Sequence, residues 1–293
     1  MSIYLYRWDG SPRFRDCAKP AHVAHRLAIP KERMFGLVPS GPRNMPALCP
    51  YTLRTAVNTG LPLMFQNAYM ENVWQFCKVM PHITKHTQML NRRGVWKNST
   101  PLDIFKDDVQ VDNITGNDWV DDAPNVVKDM LISDDPIRSY VPKKIRRFCM
   151  GSANPYDLNA KLLDYVSARM SIYGRLYIES VLANPKGNEL VQSMKAMLAR
   201  GEDILLYETD GPTETMLHSE PLGEMGPVIK ATTDNIKYTV QTHTQEPVGH
   251  CFFLSAHLLG VQFDTTLPST VRSVSVQQVR SEIKSALSLK RAR

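Results

Sequence analysis

Residues 68–80 read AYMENVWQFCKVM, and their spacing predicts a helix. Val73, Phe76, Cys77 and Met80 recur at three- and four-residue intervals and form an apolar stripe. Asn67 stands where an N-cap is expected, and Pro81 is a stop signal. Glu71, Trp74, Gln75 and Lys78 form a second line at i, i+3, i+4 and i+7. Seven residues is almost two turns, so on a continuous helix Glu71 and Lys78 share a face about 10 Å apart along the axis. This polar line borders the apolar one. An acid and an amine are thus expected at the edge of a core, where burial perturbs a carboxylate. An ordinary surface Glu–Lys pair has the same spacing.

Working outward, residues 1–46 read as strands and loops, with short alternating pieces at Ile3–Tyr6 and Met34–Val38. Residues 50–65 suit a strand or hairpin. Residues 156–183 read as a long helix ended by Asn184-Pro185, with Gly174 as a weak point. Residues 188–199 form another helix, with Gly201 as its C-cap. Residues 203–208 (DILLYE) are a compact buried strand. Ile236–Thr242 alternates like a strand, and 251–260 reads as a buried apolar helix. The expected class is α+β in a single domain over 1–293. Residues 91–150, rich in Asp and Pro, are expected to be an insertion or lobe, and 271–293 a basic terminal extension.

Composition bounds the function. With 43% hydrophobic residues in 293, the chain can bury a core, and global disorder is excluded. No stretch reaches the roughly 18 apolar residues of a membrane helix, and no secretory pattern opens the chain. A cytoplasmic protein with no membrane partner is therefore expected. Five cysteines without a CxxC pair argue for reduced thiols. No metal is expected: His82 and His86 lack the intervening Glu of HExxH, and His250 and His257 lack a nearby carboxylate set. The net charge of +6 suits a protein that meets phosphates. The basic runs at 143–147 and 290–293 are solvated faces or phosphate contacts.

The string Glu71-x-x-Trp74-Gln75-x-x-Lys78 resembles the signature helix of the NADAR family, N-glycosidase-like domains linked to ADP-ribose and riboflavin-pathway intermediates. Met170, Asn184-Pro185, Gly201-Glu202-Asp203 and a strand ending in Glu208 follow in that family's order. His257-Leu258-Leu259-Gly260 stands where such domains carry Asn-x-Leu-Gly. The family's Ser-Asn-Phe opening has only loose counterparts in Asn44 and Cys49-Pro50. The resemblance implies a mainly helical domain with small β elements, and a site that works without a cofactor. The implied substrate is a ribosylated base or an ADP-ribose-like small molecule, free or carried on a nucleic acid.

The residues themselves fit that chemistry. Cleaving a sugar–base bond passes through an oxocarbenium-like state, which a carboxylate can stabilise or supply with activated water. Glu71 is the candidate. Lys78 can add to the anomeric carbon as a Schiff-base amine, or can contact a phosphate. Trp74 can stack on a base or pack in the core, and Gln75 can orient a ligand through its amide. Arg43 and Asn44 lie on a Gly/Pro loop suited to phosphate, Glu208 and Asp210 follow the buried strand, and His257 replaces the family's Asn. Two alternatives remain: a catalytically inactive ADP-ribose- or nucleotide-binding module, and a basic nucleic-acid-binding or structural protein.

Overall fold

The apolar run at 204–207 becomes the central strand of a four-stranded sheet. The computed structural model describes residues 1–8, 19–37, 45–57, 59–61, 65–79, 151–152, 154–156, 163, 165–208, 228–242 and 248–262. In chain order the main elements are β1 (Ile3–Arg7), α1 (Pro20–Arg26), β2 (Met34–Gly36), α2 (Met70–Phe76), β3 (Lys78–Val79) and β4 (Gly151–Ser152). A helix then runs from α3 (Tyr165–Ala168) through a π-helical turn (Arg169–Tyr173) into α4 (Gly174–Ala183). It is followed by α5 (Pro185–Ala199), β5 (Ile204–Glu208), β6 (Val228–Ala231), α6 (Thr233–Thr242) and α7 (His250–Leu258). Helices and a mixed sheet together make the class α+β. The chain divides into two compact units, Met1–Val57 with Arg169–Thr270, and Asn58–Ala168 with Val271–Arg293. Residues 91–150 and 271–293, expected as an insertion and a basic extension, lie outside the described residues.

In the first unit the sheet order is β2-β5-β1-β6. β1 and β2 run parallel to β5, and β6 is antiparallel to β1. Alternation along each strand sorts the side chains into two layers. Tyr6, Leu205, Tyr207, Met34 and Val228 pack with Val23 and Ala24 of α1. The alternate residues Ile3, Leu5, Ile204 and Leu206 are equally buried, on the side where α5 and α7 meet the sheet. Glu208 is in phase with Ile204 and Leu206, so its carboxylate enters that second layer rather than the α1 side.

Local signals explain the helices. Pro20 starts α1 with its missing N–H where no partner is needed. Asn184 caps α5, its side-chain oxygen accepting the Gly187 N–H at 3.0 Å. Gly201, at φ 81°, closes that helix by bonding to the Leu198 carbonyl at 2.9 Å, while Glu202 N–H reaches Met197 at 3.1 Å. This is the Schellman closure that requires a left-handed residue.

Several expectations change. Residues 20–26, within a stretch read as strands and loops, form the helix α1. The alternation at 236–242 is helical, because Thr232 and Asn235 form reciprocal capping bonds of 3.2 and 2.9 Å that start α6. The described residues of 50–65 carry turns, bends and a bridge position at Arg54 rather than a regular strand. The long helix begins at Tyr165 among the described residues, since Asn154–Tyr156 is bridge and turn and Leu163 bridges Ser152. Finally, α2 stops at Phe76, and Lys78 opens β3 opposite Ser152. Val79 is β-branched and suits the extended pairing with Gly151, and Pro81 disfavours the α conformation at the residue before it, so both favour an early end to the helix. Asn67 is not the cap either. It sits two residues upstream of Tyr69 at φ 54°, a left-handed conformation that Asn tolerates.

Gly174 is fixed by packing. A Cβ there would lie 2.7 Å from Cδ1 of the fully buried Phe253 ring on α7. Gly174→Ala is expected to destabilise by about 1–3 kcal/mol through overpacking, despite alanine's better helix propensity. Denaturant unfolding monitored by circular dichroism measures this.

Candidate functional site

At the carboxyl end of β5, Glu208 is 1% exposed. One carboxylate oxygen accepts the Cys251 backbone N–H at 2.6 Å. The other accepts the His250 backbone N–H at 2.9 Å and meets His250 Nδ1 at 2.8 Å. The two backbone donors belong to the first turn of α7, whose N–H groups have no partner within the helix. Burial pushes the Glu208 carboxyl up. The hydrogen bond and charge of His250, with the N–H groups of Cys251 and His250, outweigh burial and hold it below the ordinary carboxylate range.

An ionised Glu208 only accepts, so Nδ1 of His250 carries a proton and donates it. Nε2 lies 2.6 Å from the Tyr173 hydroxyl, which accepts from a charged ring and donates to a neutral one. The result is a buried Tyr173–His250–Glu208 chain in which His250 donates to Glu208. Arg169 donates from Nε to the Val248 carbonyl at 3.1 Å and stacks 3.9 Å above the Tyr173 ring. Tyr177 donates to the Leu48 carbonyl at 2.8 Å, and its ring meets His250 edge-on at 5.0 Å. Burial first, then the charge of Glu208, pushes the Tyr177 hydroxyl well above its ordinary value. The same two causes raise the Cys251 thiol. A carboxylate that fixes one ring nitrogen while a hydroxyl meets the other is the arrangement that poises histidine for proton transfer.

In the second unit, Glu71 lies in the first turn of α2 and is 3% exposed. Met70, Val73, Trp74 and Cys77 are buried beside it at helical spacing. Trp74, at 1% exposure, is a core side chain. Gln75 lies on α2 and Lys78 on β3, so the expected shared helical face of Glu71 and Lys78 is not formed. Glu208 is engaged through both oxygens, which makes it the support of His250 rather than a direct ligand contact. His257 lies in the last turn of α7, with Nε2 buried and without a hydrogen-bond partner among the described residues. Burial, then the charge of Lys195, lowers its pKa. Arg43, Asn44 and Asp210 lie outside the described residues.

Periodicity along 156–183 does not single out Tyr173, Arg169 or Tyr177, and His250 stands out in the sequence only as a possible metal ligand. The available signal was a polar residue at each helical register facing a strand that ends in Glu. Among the described residues no group of three or more His, Cys, Asp or Glu is placed to hold a metal ion. Cys49, Cys77 and Cys251 are buried thiols, not disulfides. No helix among the described residues is long and apolar enough to cross a membrane. Comparison with protein-family models, curated proteins and solved structures gives no match.

Proposed function

We propose that the protein is an N-glycosidase-type hydrolase cleaving the bond between a ribose anomeric carbon and a base nitrogen. The substrate is a ribosylated nucleotide or an ADP-ribosylated nucleic-acid base. Glu71 stabilises the oxocarbenium-like state or takes a proton from the attacking water. Lys78 adds to the anomeric carbon as the base departs, and water then hydrolyses the Schiff base and restores the amine.

The observation that carries the reading is the burial of Glu71. Carboxylates are seldom fully buried, and this one lies on the helix whose Glu-x-x-Trp-Gln-x-x-Lys string resembles the NADAR signature. Low local dielectric strengthens the interaction of such a carboxylate with a developing cation. Gln75, on the same helix as Glu71, is the proposed substrate contact.

The full chain is incubated with N-ribosylated bases and an ADP-ribosylated oligonucleotide, and released base is followed by chromatography. Release is the expected result, and its absence from every such substrate overturns the reading. Borohydride added during turnover tests the amine role separately. A reduced sugar adduct on Lys78, located by mass spectrometry, is expected. Turnover without an adduct leaves Lys78 as a phosphate contact.

A further inference from the structure

The helix at 165–183 is not uniform. Arg169–Tyr173 winds as a π-helix between two α-helical stretches. A π turn holds an extra residue within an α-helix and is frequently found at functional sites. Its two ends are tied to one short segment. Arg169, its first residue, bonds the Val248 carbonyl at 3.1 Å, and Tyr173, its last, meets His250 Nε2 at 2.6 Å. The Arg169 guanidinium also covers the Tyr173 ring at 3.9 Å, locking first residue to last. His250 is in turn fixed by Glu208 at the end of β5, through both ring and backbone. Directly after the π turn, Gly174 lets the Phe253 ring approach closely, which anchors the start of α4 to α7.

We propose that Arg169–Tyr173 is a two-state switch segment, and that the Tyr173–His250–Glu208 chain with Arg169–Val248 is the latch holding it in the π register. With α4 anchored through Gly174, relaxation to the α register turns Arg169 about the helix axis by about 100° for the one residue the turn loses. That rotation carries Arg169 away from Val248 and withdraws the stack from Tyr173. The latch opens when the Tyr173 hydroxyl loses His250, either by substitution or by a ligand group that competes for the hydroxyl. The device stands independently of the glycosidase reading.

Amide hydrogen exchange of the full chain, read by mass spectrometry, tests the latch. Tyr173→Phe removes one hydroxyl and keeps the ring. Because each passage between the two registers breaks the turn's backbone hydrogen bonds, the substitution is expected to speed exchange at 169–175 by about tenfold while 190–198 in α5 is unchanged. Arg169→Lys, which loses the planar stack, is expected to do the same by a smaller factor. Exchange unchanged at 169–175 in both variants overturns the proposal. An equal rise in α5, or loss of the folded state, also overturns it, because the contacts would then support the whole unit rather than latch one turn.

Discussion

Glu208→Ala is expected to lower stability by about 3–5 kcal/mol, the range for breaking a buried charged pair. The substitution leaves two backbone N–H groups of α7 and the His250 ring without their acceptor, all out of reach of water. It also detaches the start of α7 from the end of the central strand. Glu208→Gln separates charge from shape. Its amide oxygen still accepts, but its NH₂ group faces N–H donors, so a smaller loss is expected. The pH dependence follows from the lowered carboxyl. A group whose folded pKa lies below its unfolded one stabilises above the unfolded value, and that contribution is lost as pH falls through the folded value. The wild-type protein should therefore lose stability on the acid side, and Glu208→Gln should flatten that limb. At the alkaline end Tyr177 acts in the opposite sense. Its raised pKa favours folding below the ordinary tyrosine value, and that stability is lost as pH rises through the folded value. Urea unfolding across pH, comparing wild type, Glu208→Gln and Tyr177→Phe, measures both limbs.

Glu71→Gln is expected to reduce turnover by about 10²–10⁴-fold, the range for losing a positioned general base. The amide is nearly isosteric and so keeps the packing beside Met70, Val73 and Trp74. The expected signature is a fall in kcat with little change in KM, because the carboxylate acts on charge that develops only in the transition state. A matching melting temperature shows that the loss is chemical. Trp74→Phe makes the contrasting case. As a buried core side chain, it should cost stability before it costs catalysis.

Elements whose determinants are local were legible in the sequence. DILLYE gave β5 through its unbroken apolar run, and Asn184-Pro185 with Gly201 bracketed α5 by cap chemistry alone. Helix α7 was legible because 251–256 is apolar on every side, the mark of a helix buried all round. Where two local signals compete, reading failed. Ile236, Tyr238 and Val240 alternate like a strand, yet the Thr232–Asn235 box starts a helix. The Glu71–Lys78 face assumed an unbroken helix, whereas Val79 and Pro81 favour its early end. The chain centred on His250 was hidden for a different reason. Its partners lie 42 and 77 residues away, and only the strand phase of Glu208 together with the start of α7 brings them together. Pairing across such distances is set by tertiary packing, which periodicity along the chain does not report.

The central claim concerns one bond, that between ribose carbon and base nitrogen. Its most direct measurement is the yield of free base and free sugar from one N-ribosylated substrate in the same tube, for wild type and Glu71→Gln. The account predicts equal amounts of both products from wild type and almost none from the variant. Undiminished products from a folded Glu71→Gln protein, or none from wild type, would contradict it.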